Sequence, residues 1–434
     1  MDTRNAPPLD LPLRFMAVAV GVLAVLAAVY PWHLPLLTGS FYDPHLTTFV
    51  HVNTLGLVAA TIVGASYQML PIVLQTPLAS VRLARLSWWL YVPGLLAFVA
   101  GLSQGLALLL VLGGVLLYGA LGLYAGVAAA TLRRTRHRDV VFWHVCVALA
   151  GLVAALQLAL LLALSKRVGF LDGRTLPVMA AHATLMVAGW VLPTLTGVGY
   201  RLVGMFTLTE DQLRPGWARA ELALAAAGAW ALAAALLLGL GRPVEAAGAL
   251  SLLGSLAMFA IHLGWLYRRR RRRGFDVHVP FLVTSVGYAL AAAALLAAGF
   301  VADRPAGAPI WVAVGWLAIV GCAETAIQGF LYKIGSFLAW LHRYAPLVGR
   351  RPVPVLDQLY GRRTALAGWA LWSAGVALGG AAALASSEPV ALAAAAALSL
   401  GAAAFLVNAA RVARHALGLV PAPPAKTRSV HVNP

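Results

Sequence analysis

The sequence predicts an all-α membrane protein with twelve transmembrane helices in three pseudo-symmetric four-helix arcs. Composition, the placement of basic residues and a motif repeated at constant interval each point to it. Of 434 residues, 61% are hydrophobic and 11% charged, against roughly 45–50% and about 25% in soluble domains. The apolar residues fall in long runs, so lipid is the solvent for most of the chain. A span of about 20 residues with its connection repeats every ~36 residues, which predicts about twelve spans at this length.

Apolar runs bounded by Pro, Gly or Arg clusters place these spans at 12–30, 46–74, 86–103, 105–131, 139–164, 176–206, 216–240, 243–267, 279–302, 309–340, 363–385 and 389–416. The first follows Arg4 and Arg14 like a signal peptide, but no small-residue cleavage pattern comes after it, so it is read as helix 1. Residues 1–420 thus form one transmembrane domain, and the Pro-rich segment 421–434 is expected to be a disordered cytoplasmic tail.

Basic residues orient the bundle. Of 32 Lys and Arg, 27 fall in the tails and in the connections after even-numbered helices; Lys166, Arg167, Arg174, Arg242 and Arg304 alone fall on the other face. Positive residues are retained on the cytoplasmic side, so both termini are expected there. With 29 Arg against three Lys, and abundant Ala and Gly, the composition is that of a GC-rich bacterial genome, and the expected location is the bacterial cytoplasmic membrane. The net charge of +18 therefore marks topology, not a nucleic-acid partner. Even the run Arg268–Arg273 sits directly after helix 8, where anionic lipid headgroups are its natural counter-charge. Cys146 and Cys322 have neither zinc nor disulfide spacing.

The most specific pattern is a repeat. Helices 2, 6 and 10 end in Gly64-Ala65-Ser66-Tyr67, Gly197-Val198-Gly199-Tyr200 and Gly329-Phe330-Leu331-Tyr332, at intervals of 133 and 132 residues. Each interval holds four helices, an even number, so the copies share one orientation and relate by an axis along the membrane normal. The pseudo-repeats are read as 86–214, 216–345, and 363–416 together with 12–74.

Twelve helices, cytoplasmic termini, a threefold repeat, a histidine early in helix 2 and the segment Leu331 to Tyr344 (LYKIGSFLAWLHRY) resemble subunit I of the haem-copper oxidase superfamily. Nitric oxide reductases and cbb3-type oxidases are the nearer branches. The resemblance implies a respiratory, haem-dependent oxidoreductase served by a cytochrome c or another respiratory subunit. Under it, His51 matches the helix-2 axial ligand of the low-spin haem, and His182 matches a helix-6 copper ligand. The metal motifs are degenerate: residues 216–240 lack the family's His-His pair, and Val314 and Trp316 stand where its helix-10 His-x-His would be. A full binuclear centre, copper and oxygen reduction are therefore not expected.

Depth supports the same two histidines. His51 and His182 enter pseudo-equivalent helices from the outer side, His51 about 7 Å deep, and an ionisable group in lipid is expensive without a partner. Imidazole is a standard haem ligand, so one b-type haem is expected on His51, with His182, His45, Met179 or Met186 as the second ligand. Arg174 and Arg304 are the candidate propionate partners. The bland alternative hydrogen-bonds the histidines to Asn53 or Thr184. Glu324, a carboxylate in mid-helix 10, is a proton-relay candidate; its alternative is a hydrogen bond to Gln328 or Thr325. Gln157 is expected to bond between helices. His144 and His278 are read as interfacial residues just inside odd-numbered helices, with lipid phosphate or a neighbouring carboxylate such as Asp139 or Asp276 as the alternative partner. The competing functions are a haem-free transporter or accessory scaffold of a respiratory complex, and an NO-response protein carrying haem and copper.

Overall fold

The computed structural model describes residue 5, residues 7–271, residue 274 and residues 276–420. Arg4, part of the arginine run and the segment 421–434 lie outside the described residues. Among those described there is no strand, and twelve helices are long and apolar enough to cross a membrane. They are α1 (Asp10–Thr38, its last turn 3-10), α2 (Pro44–Val73), α3 (Val81–Ser103), α4 (Ala107–Arg134), α5 (Val140–Val168), α6 (Thr175–Thr207), α7 (Pro215–Leu238), α8 (Arg242–Arg268), α9 (His278–Val301), α10 (Pro309–Arg343), α11 (Arg362–Ala385) and α12 (Glu388–Ala416). The protein is a multi-pass membrane protein whose outer helix faces meet lipid.

Local chemistry sets the boundaries. Asp43, Ser80 and Asp139 cap α2, α3 and α5 by accepting from backbone N–H groups of the first turn. Gly169 and Gly239 end α5 and α7 in the left-handed conformation. Successive helices pack side by side, and α12 returns to pack against α1. Helix α10 meets both α2 and α6 through their middles.

Those middles carry a feature absent from the sequence reading. Each inner helix widens into a π-helical segment, Val52–Ala59, Leu185–Val191 and Leu317–Glu324, starting 133 and 132 residues apart. A π turn inserts an extra residue into the hydrogen-bond ladder and recurs at functional sites. In α2 the Leu55 carbonyl is taken up by Tyr91 Oη at 2.5 Å. Each segment contains one glycine, Gly56, Gly189 and Gly321.

Glycines set how closely the inner helices approach their neighbours. A Cβ on Gly64, Gly197 or Gly329 would lie 2.7, 2.5 and 2.7 Å from the Cβ of Phe15, His144 and Phe281. One turn pair away, Gly56 abuts Val22, Gly189 lies against Gly151, and Gly321 abuts Tyr288. The partners are seven residues apart on α1, α5 and α9 alike. The motif tyrosines complete the contact. Tyr67, Tyr200 and Tyr332 lie 5.9, 5.8 and 5.7 Å from Phe15, His144 and Phe281, and 5.6, 5.0 and 5.2 Å from Tyr124, Phe259 and Phe405 of α4, α8 and α12. The same glycine-and-tyrosine clasp is thus built three times, on α1–α4, α5–α8 and α9–α12.

Candidate functional site

His51 ends the first α-helical segment of α2, directly before the π turn. Its Nδ1 is 2.8 Å from the carbonyl of Thr47, and its ring lies 5.2 Å from Phe98 of α3. His182, three residues before the α6 π turn, places Nδ1 3.0 Å from the Ala155 carbonyl of α5. A carbonyl only accepts, so Nδ1 carries the proton on both rings and each Nε2 keeps its lone pair. Neither Nε2 has a hydrogen-bond partner among the described residues. A backbone carbonyl on the far nitrogen is the support that metal-ligating histidines use, so these two residues fit a ligating role. Asn53 and Thr184 are not their partners: both bond the carbonyl four residues before them.

The other side of the bundle has different chemistry. Trp316 donates Nε1 to the Val376 carbonyl at 2.9 Å and packs so tightly on α11 that a Cβ on Gly379 would lie 2.6 Å from its ring. Trp372 is fully buried beside Tyr30 and donates to Thr325. The space between α1, α10 and α11 is therefore filled by aromatic rings, leaving the α3–α5 side as the one that His51 and His182 address. No three His, Cys, Asp or Glu side chains converge on a metal-sized point among the described residues.

Arg174 and Arg304 are both exposed, and neither bonds to His51 or His182. Arg174 donates to the Leu237 carbonyl at 2.8 Å, capping the end of α7. The Arg304 carbonyl accepts from Arg242, which also pairs with Asp303 at 2.7 Å. Glu324 is fully buried, and neither carboxyl oxygen has a protein partner among the described residues. The expected partners are engaged elsewhere or turned away: Thr325 donates to Val320, and the Gln328 amide nitrogen is itself unpaired. Gln157 makes its interhelical bond, to Tyr118 at 2.9 Å. Asp276 faces Lys333 at 2.7 Å and His278 at 3.9 Å.

His144 corrects the sequence reading. Asp139 is used up in capping α5, and the carboxylate that meets His144 is Glu221 of α7, at 2.9 Å with both side chains buried. Glu221 lies six residues inside an apolar run, and that was the available signal. Its partner on another helix could not be read from spacing.

The motif ends of α2, α6 and α10 also enclose an apolar cleft of about 920 Å³ of atom-free space, its mouth included. Equivalent residues of the three helices line it, Ile62, Leu195 and Ile327 in one layer and Met69, Leu202 and Ile334 in another. Comparison with protein-family models and with curated proteins finds no match to this chain.

Proposed function

We propose that this protein is a haem-copper-oxidase-like membrane protein that binds b-type haem for electron transfer or for handling oxygen or nitric oxide. The observation that carries it is the matched pair His51 and His182, each anchored through Nδ1 with Nε2 free. The three clasps, the three π segments and the return of α12 to α1 support three four-helix arcs about an axis normal to the membrane. The basic residues support termini on the cytoplasmic side of a bacterial inner membrane.

A haem held by His51, with His182 as the second ligand or close by, would supply a one-electron iron couple. The chain's own contribution is to fix the imidazole tautomers through Thr47 and Ala155 and to surround the rings with apolar side chains such as Phe98. With Trp316 at the helix-10 ligand position and no histidine in α7, the residues for a binuclear centre are missing, so electron transfer or gas handling is favoured over oxygen reduction. A cytochrome c or another respiratory subunit is the expected redox partner.

The test is an optical spectrum of the purified protein, before and after haem addition and reduction. A Soret band with reduced b-type bands, lost in His51→Ala, is expected; no band under any condition sinks the reading. The competing reading, a haem-free scaffold or transporter, is favoured by the aromatic filling around Trp316 and Trp372. It requires His51→Ala and His182→Ala to leave the spectrum and the metal content unchanged.

A further inference from the structure

The second clasp differs from the other two in being ionisable. Where α1 and α9 present Phe15 and Phe281, α5 presents His144. Where α3 presents Ser87, bonded to Tyr67 at 2.9 Å, α7 presents Glu221. His144 Nδ1 is 2.7 Å from the Val140 carbonyl and so carries a proton. Its Nε2 meets Glu221 Oε2 at 2.9 Å, and Ser255 of α8 donates to Glu221 Oε1 at 3.1 Å. One further proton therefore lies between Nε2 and Oε2. Whichever atom holds it, the pair is neutral, while gaining or losing a proton leaves a net charge in a low-dielectric bundle.

Two neighbouring groups are buried and unsatisfied. Tyr200 Oη has no partner among the described residues, and its ring lies 5.8 Å from that of His144. His262 of α8, its ring 5.1 Å from Tyr200, accepts the backbone N–H of Arg214 on Nε2 at 3.3 Å, which puts its proton on an unpartnered Nδ1. Buried polar atoms find partners, and water is the usual one where protein supplies none. Arg214 lies in the α6–α7 connection on the arginine-rich face, and His262, Tyr200, Glu221 and His144 all lie within about two turns of helix ends on that face. The neighbouring arginines are engaged elsewhere or exposed: Arg201 turns to Glu210 at 3.5 Å, the Arg214 guanidinium stacks on Trp265, and Arg219 is exposed.

We infer that His144, Glu221 and Ser255 form a proton-exchange site, connected to the arginine-rich face through Tyr200 and His262. Its ligand is a single proton, passed by hydrogen-bond rearrangement with no redox step. The site is independent of the haem reading, and its test needs no haem.

Infrared difference spectra of the full chain in lipid nanodiscs, recorded after transfer from H2O to D2O at constant pH, test it. The signal of the pair is identified as the one lost in Glu221→Gln and in His144→Phe. Expected is exchange far faster than global unfolding, slowed by roughly an order of magnitude in Tyr200→Phe and His262→Phe, because local access and not unfolding then limits it. The double variant His144→Phe with Glu221→Ser, which recreates the first clasp, folds and lacks the signal. Exchange only on the timescale of unfolding overturns the inference, as does exchange unaffected by both Tyr200→Phe and His262→Phe.

Discussion

The α1–α4 and α5–α8 clasps share one backbone geometry and carry opposite chemistry. In the first, Gly64 admits Phe15, and Tyr67 is satisfied by Ser87; the core is aromatic with neutral hydroxyls. In the second, Gly197 admits His144, the hydroxyl position is Glu221, and the Tyr200 hydroxyl has no partner among the described residues. The α9–α12 clasp is again neutral, with Phe281 beside Tyr332 and Asn408 donating to the tyrosine at 3.2 Å. Ring shape and the absent Cβ decide whether the helices meet, and charge does not enter. The buried His144–Glu221 contact is therefore specific to the second clasp, while the same helix geometry is built around Phe15 and Phe281 in the other two.

The largest expected effect breaks the second clasp from inside. Glu221→Ala leaves His144 Nε2 and the Ser255 hydroxyl buried without their partner and is expected to cost about 3–5 kcal/mol, read as a lowered unfolding midpoint in detergent. The double change His144→Phe with Glu221→Ser is expected to recover all but about 1 kcal/mol of it, since a well-packed neutral replacement of a buried pair is often neutral. A double variant as unstable as the single one would show that the units are not interchangeable. Next comes Gly151→Ala, whose Cβ would lie 2.2 Å from the Gly189 carbonyl oxygen. Backbone overpacking there is expected to cost about 1–3 kcal/mol, whereas Gly122→Ala, with nothing within 4 Å, should be neutral or slightly stabilising.

Smaller effects compare the two neutral clasps. Asn408 bonds Tyr332 and both backbone groups of Gly361, so Asn408→Ala is expected to cost roughly 2 kcal/mol by stranding buried groups. Ser87→Ala strands one hydroxyl and is expected to cost about 1 kcal/mol; the ratio of the two shifts in unfolding midpoint checks this. The smallest effect lies outside the membrane. Asp211 accepts from Gln212 at 3.0 Å and Arg271 at 2.6 Å, and these bonds lower its carboxyl below the usual range. Any stability it adds is present above the ordinary carboxylate range and lost as pH falls through the lowered value. Because the pair is exposed, Asp211→Asn is expected to leave the unfolding midpoint unchanged at neutral pH, measured at low and high salt.

The legible part of this molecule was what depends on period and hydropathy. The spans read from apolar runs match the helices to within a few residues, except that α1 runs on to Thr38 through a 3-10 turn and α3 begins at Val81, ahead of its arginines, because Ser80 caps it. The GxxY spacing pointed to equivalent helix ends, and the glycines do sit at close helix contacts. Neither the π segments nor the second glycine series was read, although Gly56, Gly189 and Gly321 repeat at the same intervals. Glycine is frequent in this chain, and a π turn has no composition of its own. Depth and parity single out His51 and His182 as candidates, but the carbonyls that hold their rings, Thr47 and Ala155, are backbone groups that sequence does not distinguish from any others.

What the sequence determined by itself is the number of spans, their alternation across the bilayer and the interval at which the architecture repeats. These follow from the length of apolar runs and the placement of charge against lipid, which are properties of local stretches. Tertiary structure alone decided which side chains meet across helices: Glu221 with His144, Trp316 against Gly379, and, among the described residues, no partner for Glu324. Inside a bilayer every helix is apolar on most faces, so hydropathy carries little information about rotation. Close packing at glycines and the satisfaction of a few buried polar atoms choose the partners.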